Sequence, residues 1–131
     1  MSELLLLFAA HYLADFPLQP EFVAKNKGKV FIESIGFHCL TAHAFIHGLA
    51  VAAVMTALGH SWEWPFVFVA VTHWLIDFGK SWEGWPENFR ITDGAVWEGN
   101  PGARGLYGIN VDQTLHAIVL VAIWLAYGGP K

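Results

Sequence analysis

Two long runs of this chain carry no charge: Ser34 to Trp62 and Gln113 to Pro130 contain no Asp, Glu, Lys or Arg. An uncharged apolar run of about 18 residues or more is long enough to cross a bilayer as a helix. Two shorter apolar stretches, Leu4 to Leu18 and Trp64 to Gly79, are each interrupted by a single aspartate. Beside two clear spans they read as spans too, because short spans are tolerated when flanking residues snorkel or the bilayer thins. The expected architecture is all-α: a four-transmembrane-helix up-down bundle forming a single integral membrane domain over residues 1–131. The helices fall at about 2–19, 34–59, 64–80 and 110–128, with a long interfacial loop over 81–109.

Composition agrees. The chain is 55% hydrophobic and 14% charged, whereas soluble domains carry about 25% charged residues, and its mean hydropathy is +0.43. A net charge of −4 leaves no basic surface for nucleic acid. The lone cysteine, Cys39, can form no internal disulfide, and no CxxC pair suggests structural zinc. The N-terminus shows neither a basic leader nor a small-residue cleavage site and is not read as a cleaved signal peptide. Lys25, Lys27, Lys29, Lys80, Arg90 and Arg104, six of the seven basic residues, flank the first and third connections. The positive-inside rule places those two connections in the cytoplasm and both termini outside. The third connection, SWEGWPENFRITDGAVWEGNPGARGLYG, is long enough to be a functional loop such as a lid. Trp82, Trp85 and Trp97 suggest that it lies along the interface.

Within these apolar segments sit four polar pairs, each spaced by four residues: His11/Asp15, His43/His47, His73/Asp77 and Asp112/His116. That spacing sets both side chains on one helix face, one turn apart. The pairs lie near the end of the first and third segments and near the start of the second and fourth. In an up-down bundle all four therefore fall toward one membrane face, the face of the long loop. Ionisable groups in a bilayer cost roughly 2.5 kcal/mol upward each at a helix centre, so they face the bundle interior and pair with one another or with an ion. Five imidazoles and three carboxylates suit a divalent metal, with zinc first and iron or manganese as alternatives. Eight candidate ligands suffice for two ions, and facing helices supply the ligands of di-metal carboxylate bundles in the same way. Asp15 and Asp112 are also candidate catalytic bases.

Other polar residues have two readings. Gln113 either holds a ligand or binds substrate, or it caps the fourth helix. Gln19, a candidate substrate-binding residue, follows Asp15 by four, but Pro17 and Pro20 disturb the helix there. Lys25, Asn26 and Lys27 either meet anionic headgroups or a substrate phosphate, or serve as topology signals. His38 is turned about 140° from His43 at 100° per residue and belongs at the interface. His60 lies at the opposite membrane face as a turn residue.

The ordered motifs HYLADFPLQ, KNK, HAFIH, HWLID and DQTLH resemble an uncharacterised family of small bacterial and phage integral membrane proteins, a domain of unknown function. The resemblance covers nearly the whole chain and is weakest across 81–109. It implies a helical protein of the bacterial cytoplasmic membrane and no established activity. The His and Asp pattern is also distantly similar to membrane-bound metal-dependent hydrolases. That similarity implies a metal set of His11, Asp15, His73, Asp77, Asp112 and His116. Pro17 stands where an aliphatic residue is more usual in the pattern.

The leading functional expectation is a membrane-embedded metal-dependent hydrolase acting on a lipid or lipid-linked phosphoester at one face. Its partners are the lipid bilayer and that substrate. The alternatives are an ion or proton transporter or channel component, a redox protein binding haem or iron, and an interaction protein whose polar core fixes helix register.

Overall fold

A computed structural model of the chain describes residues 2–82 and 106–127, and the side chains of all of these except 106–109. Those residues form α1 (Ser2–Asp15), α2 (Glu21–Asn26), a 3-10 turn (Lys27–Lys29), α3 (Ser34–Ala57), α4 (Glu63–Lys80) and α5 (Leu106–Tyr127). Most of the expected interfacial loop, with Trp85, Arg90, Trp97 and Arg104, lies outside the described residues. The helix at its far side begins at Leu106 rather than near 110.

The sequence-based bounds need one larger correction. The first helix stops at Asp15 and does not run on toward residue 19. Pro17 has no N–H to donate, and its ring would clash with the Leu13 carbonyl in a continuing helix. The Leu18 N–H instead donates to that carbonyl at 2.9 Å, closing a turn. The chain then enters α2, a helix of 6 residues that the sequence reading did not anticipate. At the other end of the molecule, α3 stops in a Schellman arrangement: the His60 N–H donates to Met55 O and the Gly59 N–H to Thr56 O. Gly59 sits at φ 77, the left-handed conformation that this termination needs and glycine accepts without strain.

The four long helices close into a ring in which α1 packs on α3, α3 on α4, α4 on α5, and α5 back on α1. One end of the ring is apolar, with Leu7, Val51, Met55, Val69, Leu120 and Ile123 forming a buried cluster. The other end holds the buried polar groups His11, His43, His47, His73, Asp77, Asp112 and His116. Along α1 and α4 the apolar residue precedes the polar pair, and along α3 and α5 it follows. Neighbouring helices in the ring therefore run antiparallel. Gly48 lets α3 and α4 approach closely, since a Cβ there would lie 3.0 Å from the Phe66 carbonyl oxygen. Small residues at such crossings are typical of helices that associate in lipid.

The outside of the ring is apolar. Leu5, Leu13, Phe45, Leu49, Phe68, Val71, Leu75, Ile118 and Leu125 are all exposed. Among the described residues, two helical stretches, Ser34–Ala57 and Asn110–Tyr127, are long and apolar enough to cross a membrane. At 1.5 Å per residue α1 spans about 21 Å, short of a hydrocarbon core of about 30 Å.

Candidate metal centre

Each of the four long helices delivers its polar pair to the same end of the ring. On α3, Leu40, His43, His47 and Val51 follow one another at helical spacing and are all buried. The inward stripe is thus continuous, and its middle is polar. His73 and Asp77 continue the stripe of Val69 on α4. Asp112 and His116 precede that of Leu120 and Ile123 on α5. His11 and Asp15 close α1, so the stop imposed by Pro17 falls directly after the second of them.

The polar atoms lie close together. Asp15 Oδ1 is 3.2 Å from His47 Nε2 and 3.3 Å from His43 Nε2, and Asp15 Oδ2 is 3.3 Å from His11 Nε2. Asp77 Oδ2 is 3.5 Å from His43 Nε2 and 3.6 Å from His73 Nε2, while its Oδ1 is 3.4 Å from His116 Nε2. Asp112 Oδ1 is 3.3 Å from His116 Nε2. The rings of His47 and His73 stack with centroids 3.6 Å apart, and those of His73 and His116 at 4.1 Å. Among the described residues, two groups bring ligand atoms within 4.8 Å of one another: Asp15, His43, His47 and His73, and then His73, Asp77 and His116.

This donor set fits a divalent cation. Imidazole nitrogen and carboxylate oxygen suit zinc, iron and manganese. Several of the buried atoms also lack a well-directed hydrogen bond, among them His11 Nε2 and Asp77 Oδ2. Buried lone pairs without such partners are costly, and a shared cation would satisfy several of them together.

All eight residues singled out as candidate ligands converge here. His38 is exposed on α3, and His60 lies at the far end near Glu3 and Tyr127, so both stand outside the cluster. Gln113 reaches it, donating from Nε2 to Asp112 Oδ2 at 3.2 Å. Gln19 sits at its rim and accepts from Lys27 Nζ at 3.1 Å. Lys25 does not reach it; its side chain is 71% exposed and pairs with Glu21 on the surface of α2.

Two lysines enter the site from its rim. Lys80 Nζ lies 2.7 Å from Asp77 Oδ1 and 3.2 Å from Asp112 Oδ1. Lys27 Nζ donates to His43 Nε2 at 2.8 Å and stands 3.7 Å from Asp77 Oδ2. Burial pulls the Lys27 ammonium below the ordinary lysine range, against the attraction of Asp77. The sequence reading counted Lys80 only among the basic residues flanking the third connection and left Lys27 between two roles. Lys80 follows Asp77 by three on one helix, a neighbouring spacing that was visible in the sequence. Lys27 gave no such signal, because its reach depends on how the turn after α2 seats on α3. A Cβ on Gly36 would lie 2.4 Å from the Lys29 carbonyl carbon, so the bare backbone of α3 at Gly36 admits this turn.

Comparison with curated proteins and with solved structures found no match. Residues 4–130, almost the whole chain, match a family described as "Protein of unknown function (DUF3307)". The motifs that carried the resemblance lie within that range, and with them the four pairs that meet in the cluster. This chain is therefore a member of the DUF3307 family.

Proposed function

We propose that this protein is a membrane-embedded, metal-dependent hydrolase of a lipid or lipid-linked phosphoester. In this reading α1, α3, α4 and α5 are four transmembrane spans of the bacterial cytoplasmic membrane. The first and third connections are cytoplasmic and both termini lie outside. The observation that carries the proposal is the inverted bundle: imidazoles and carboxylates gathered inside one end, and large apolar side chains exposed outside. Soluble domains show the opposite distribution, and intramembrane ionisable groups mark functional sites.

Asp15, His43, His47 and His73 would hold the ion. His11 would orient Asp15 through their 3.3 Å contact. A bound divalent ion supplies an acidified water and a positive charge against a phosphoryl oxygen. Asp112, steadied by Gln113, takes the proton of the attacking water. His116, between Asp77 and Asp112, hands a proton to the leaving oxygen. With an ion bound, His43 Nε2 would be one of its ligands, and the Lys27 ammonium that now donates to that nitrogen would be left to meet the anionic phosphoryl group. Gln19 guides that ammonium. A channel is less well supported, because the apolar cluster of Leu7, Val51, Met55, Val69, Leu120 and Ile123 lies between the polar site and the other end.

The test uses purified protein in lipid nanodiscs, loaded with zinc or manganese. It is offered phospholipids and lipid-linked phosphates, and headgroup or phosphate release is measured. Wild type should turn over at least one phosphoester. Asp112→Asn should lower kcat by about 10²–10⁴-fold, the usual worth of a general base. Lys27→Met should raise KM about tenfold, or about 1.4 kcal/mol. Metal-loaded wild type that hydrolyses none of these phosphoesters contradicts the proposal.

A further inference from the structure

The two ligand groups share one residue, His73. Its Nε2 is 3.1 Å from His43 Nε2 on one side and 3.6 Å from Asp77 Oδ2 on the other. A neutral imidazole has a single nitrogen lone pair to give, since its other nitrogen carries the proton. His73 can therefore complete only one of the groups. With Asp15, His43 and His47 it makes three imidazoles and a carboxylate, a full donor set for a four-coordinate ion. The other group is then reduced to Asp77 and His116, with Asp112 beside them.

A cation already stands in that second half. The Lys80 ammonium is held between Asp77 Oδ1 at 2.7 Å and Asp112 Oδ1 at 3.2 Å, where an ion bridging the two carboxylates would sit. The charges point the same way. Asp15, Asp77 and Asp112 contribute −3, and Lys27, Lys80 and the protonated His116 contribute +3, with the ion's histidine ligands neutral. One divalent ion brings the cluster from 0 to +2, whereas two, even with His116 deprotonated as a ligand, bring it to +3. Concentrated net charge away from water is strongly unfavourable.

We infer that the centre holds a single divalent ion in the Asp15–His43–His47–His73 group, and that the Lys80 ammonium stands in for a second ion between Asp77 and Asp112. The inference rests on the metal reading above and adds to it the number of ions and the part played by Lys80. The two halves then differ in kind. One is spent on the ion, and the other keeps its carboxylates for proton transfer under a fixed positive charge.

Metal-stripped protein in nanodiscs is titrated with Co²⁺ and with Zn²⁺, and equivalents bound per chain are counted. Wild type should take one equivalent. Lys80→Met should take two, and Lys80→Arg, which keeps the charge, should take one. Asp15→Asn should weaken the wild-type site by more than 100-fold, and Asp112→Asn by less than about tenfold. Zero equivalents in wild type overturns the metal reading itself. Two equivalents in wild type overturns the single-ion inference alone and needs no variant to fold. One equivalent in a folded Lys80→Met protein removes the role given to Lys80. Equal weakening by Asp15→Asn and Asp112→Asn removes the division of the ligands.

Discussion

Asp15 ties three histidines from two helices: His11 from its own helix, and His43 and His47 from α3. That arrangement grades the histidines. His47 belongs to a ligand group, whereas His11 stands outside it, beside Asp15 at 3.3 Å and with its ring centroid 4.8 Å from that of His47. His11→Ala should therefore cost about 10–100-fold in metal affinity, the range for a residue that orients a ligand. His47→Ala should cost more, and competition with a chromophoric chelator measures both. A His11 loss as large as that of His47 would place His11 on the ion directly. At this scale the sequence was highly legible, because a spacing of four within a helix is a local property. The four pairs needed only helicity to be aligned and only antiparallel packing to meet. Lys27 was not legible, since its contact with His43 spans 16 residues and two turns of chain.

The elements explain how that contact is made. Pro17 ends α1 one turn short of its apolar pattern, and the released chain folds into α2 and the 3-10 turn. Hydrophobicity alone carried the first helix to about residue 19, because Phe16 and Leu18 look like its continuation; both are in fact exposed after the turn. Gly36 then admits the turn against α3, with the Lys29 carbonyl carbon 2.4 Å from where a Cβ would be. Gly36→Ala should thus destabilise the protein by about 1–3 kcal/mol, the usual range for overpacking. Gly79→Ala is the control, since a Cβ there meets nothing within 4 Å. Thermal unfolding in detergent distinguishes them. Equal melting temperatures for Gly36→Ala and wild type would mean that the turn does not seat on α3 as described.

For the molecule as a whole, the proposed four-span reading turns the apolar exterior to lipid and the polar end of the interior to the cytoplasmic side. With Cys39 replaced by Ala, Glu33→Cys in the first connection and Ser61→Cys in the second should label from opposite sides of the membrane. Glu33→Cys should react from the cytoplasm. Labelling of both from one side contradicts the four-span topology. The all-helical class followed from the uncharged runs and composition. The extra α2 did not, and the short α1 was legible only as the disturbance at Pro17 and Pro20, because apolarity sets where a helix can lie and proline sets where it stops. We propose that the four helices converge to hold an ion. X-ray absorption at the edge of the resident metal, on protein purified from membranes without chelator, tests it most directly. The account predicts a stoichiometric divalent metal with imidazole nitrogens and carboxylate oxygen at about 2.0–2.2 Å, the zinc distances. Protein that carries no metal, or metal ringed only by water or by sulfur, would contradict it.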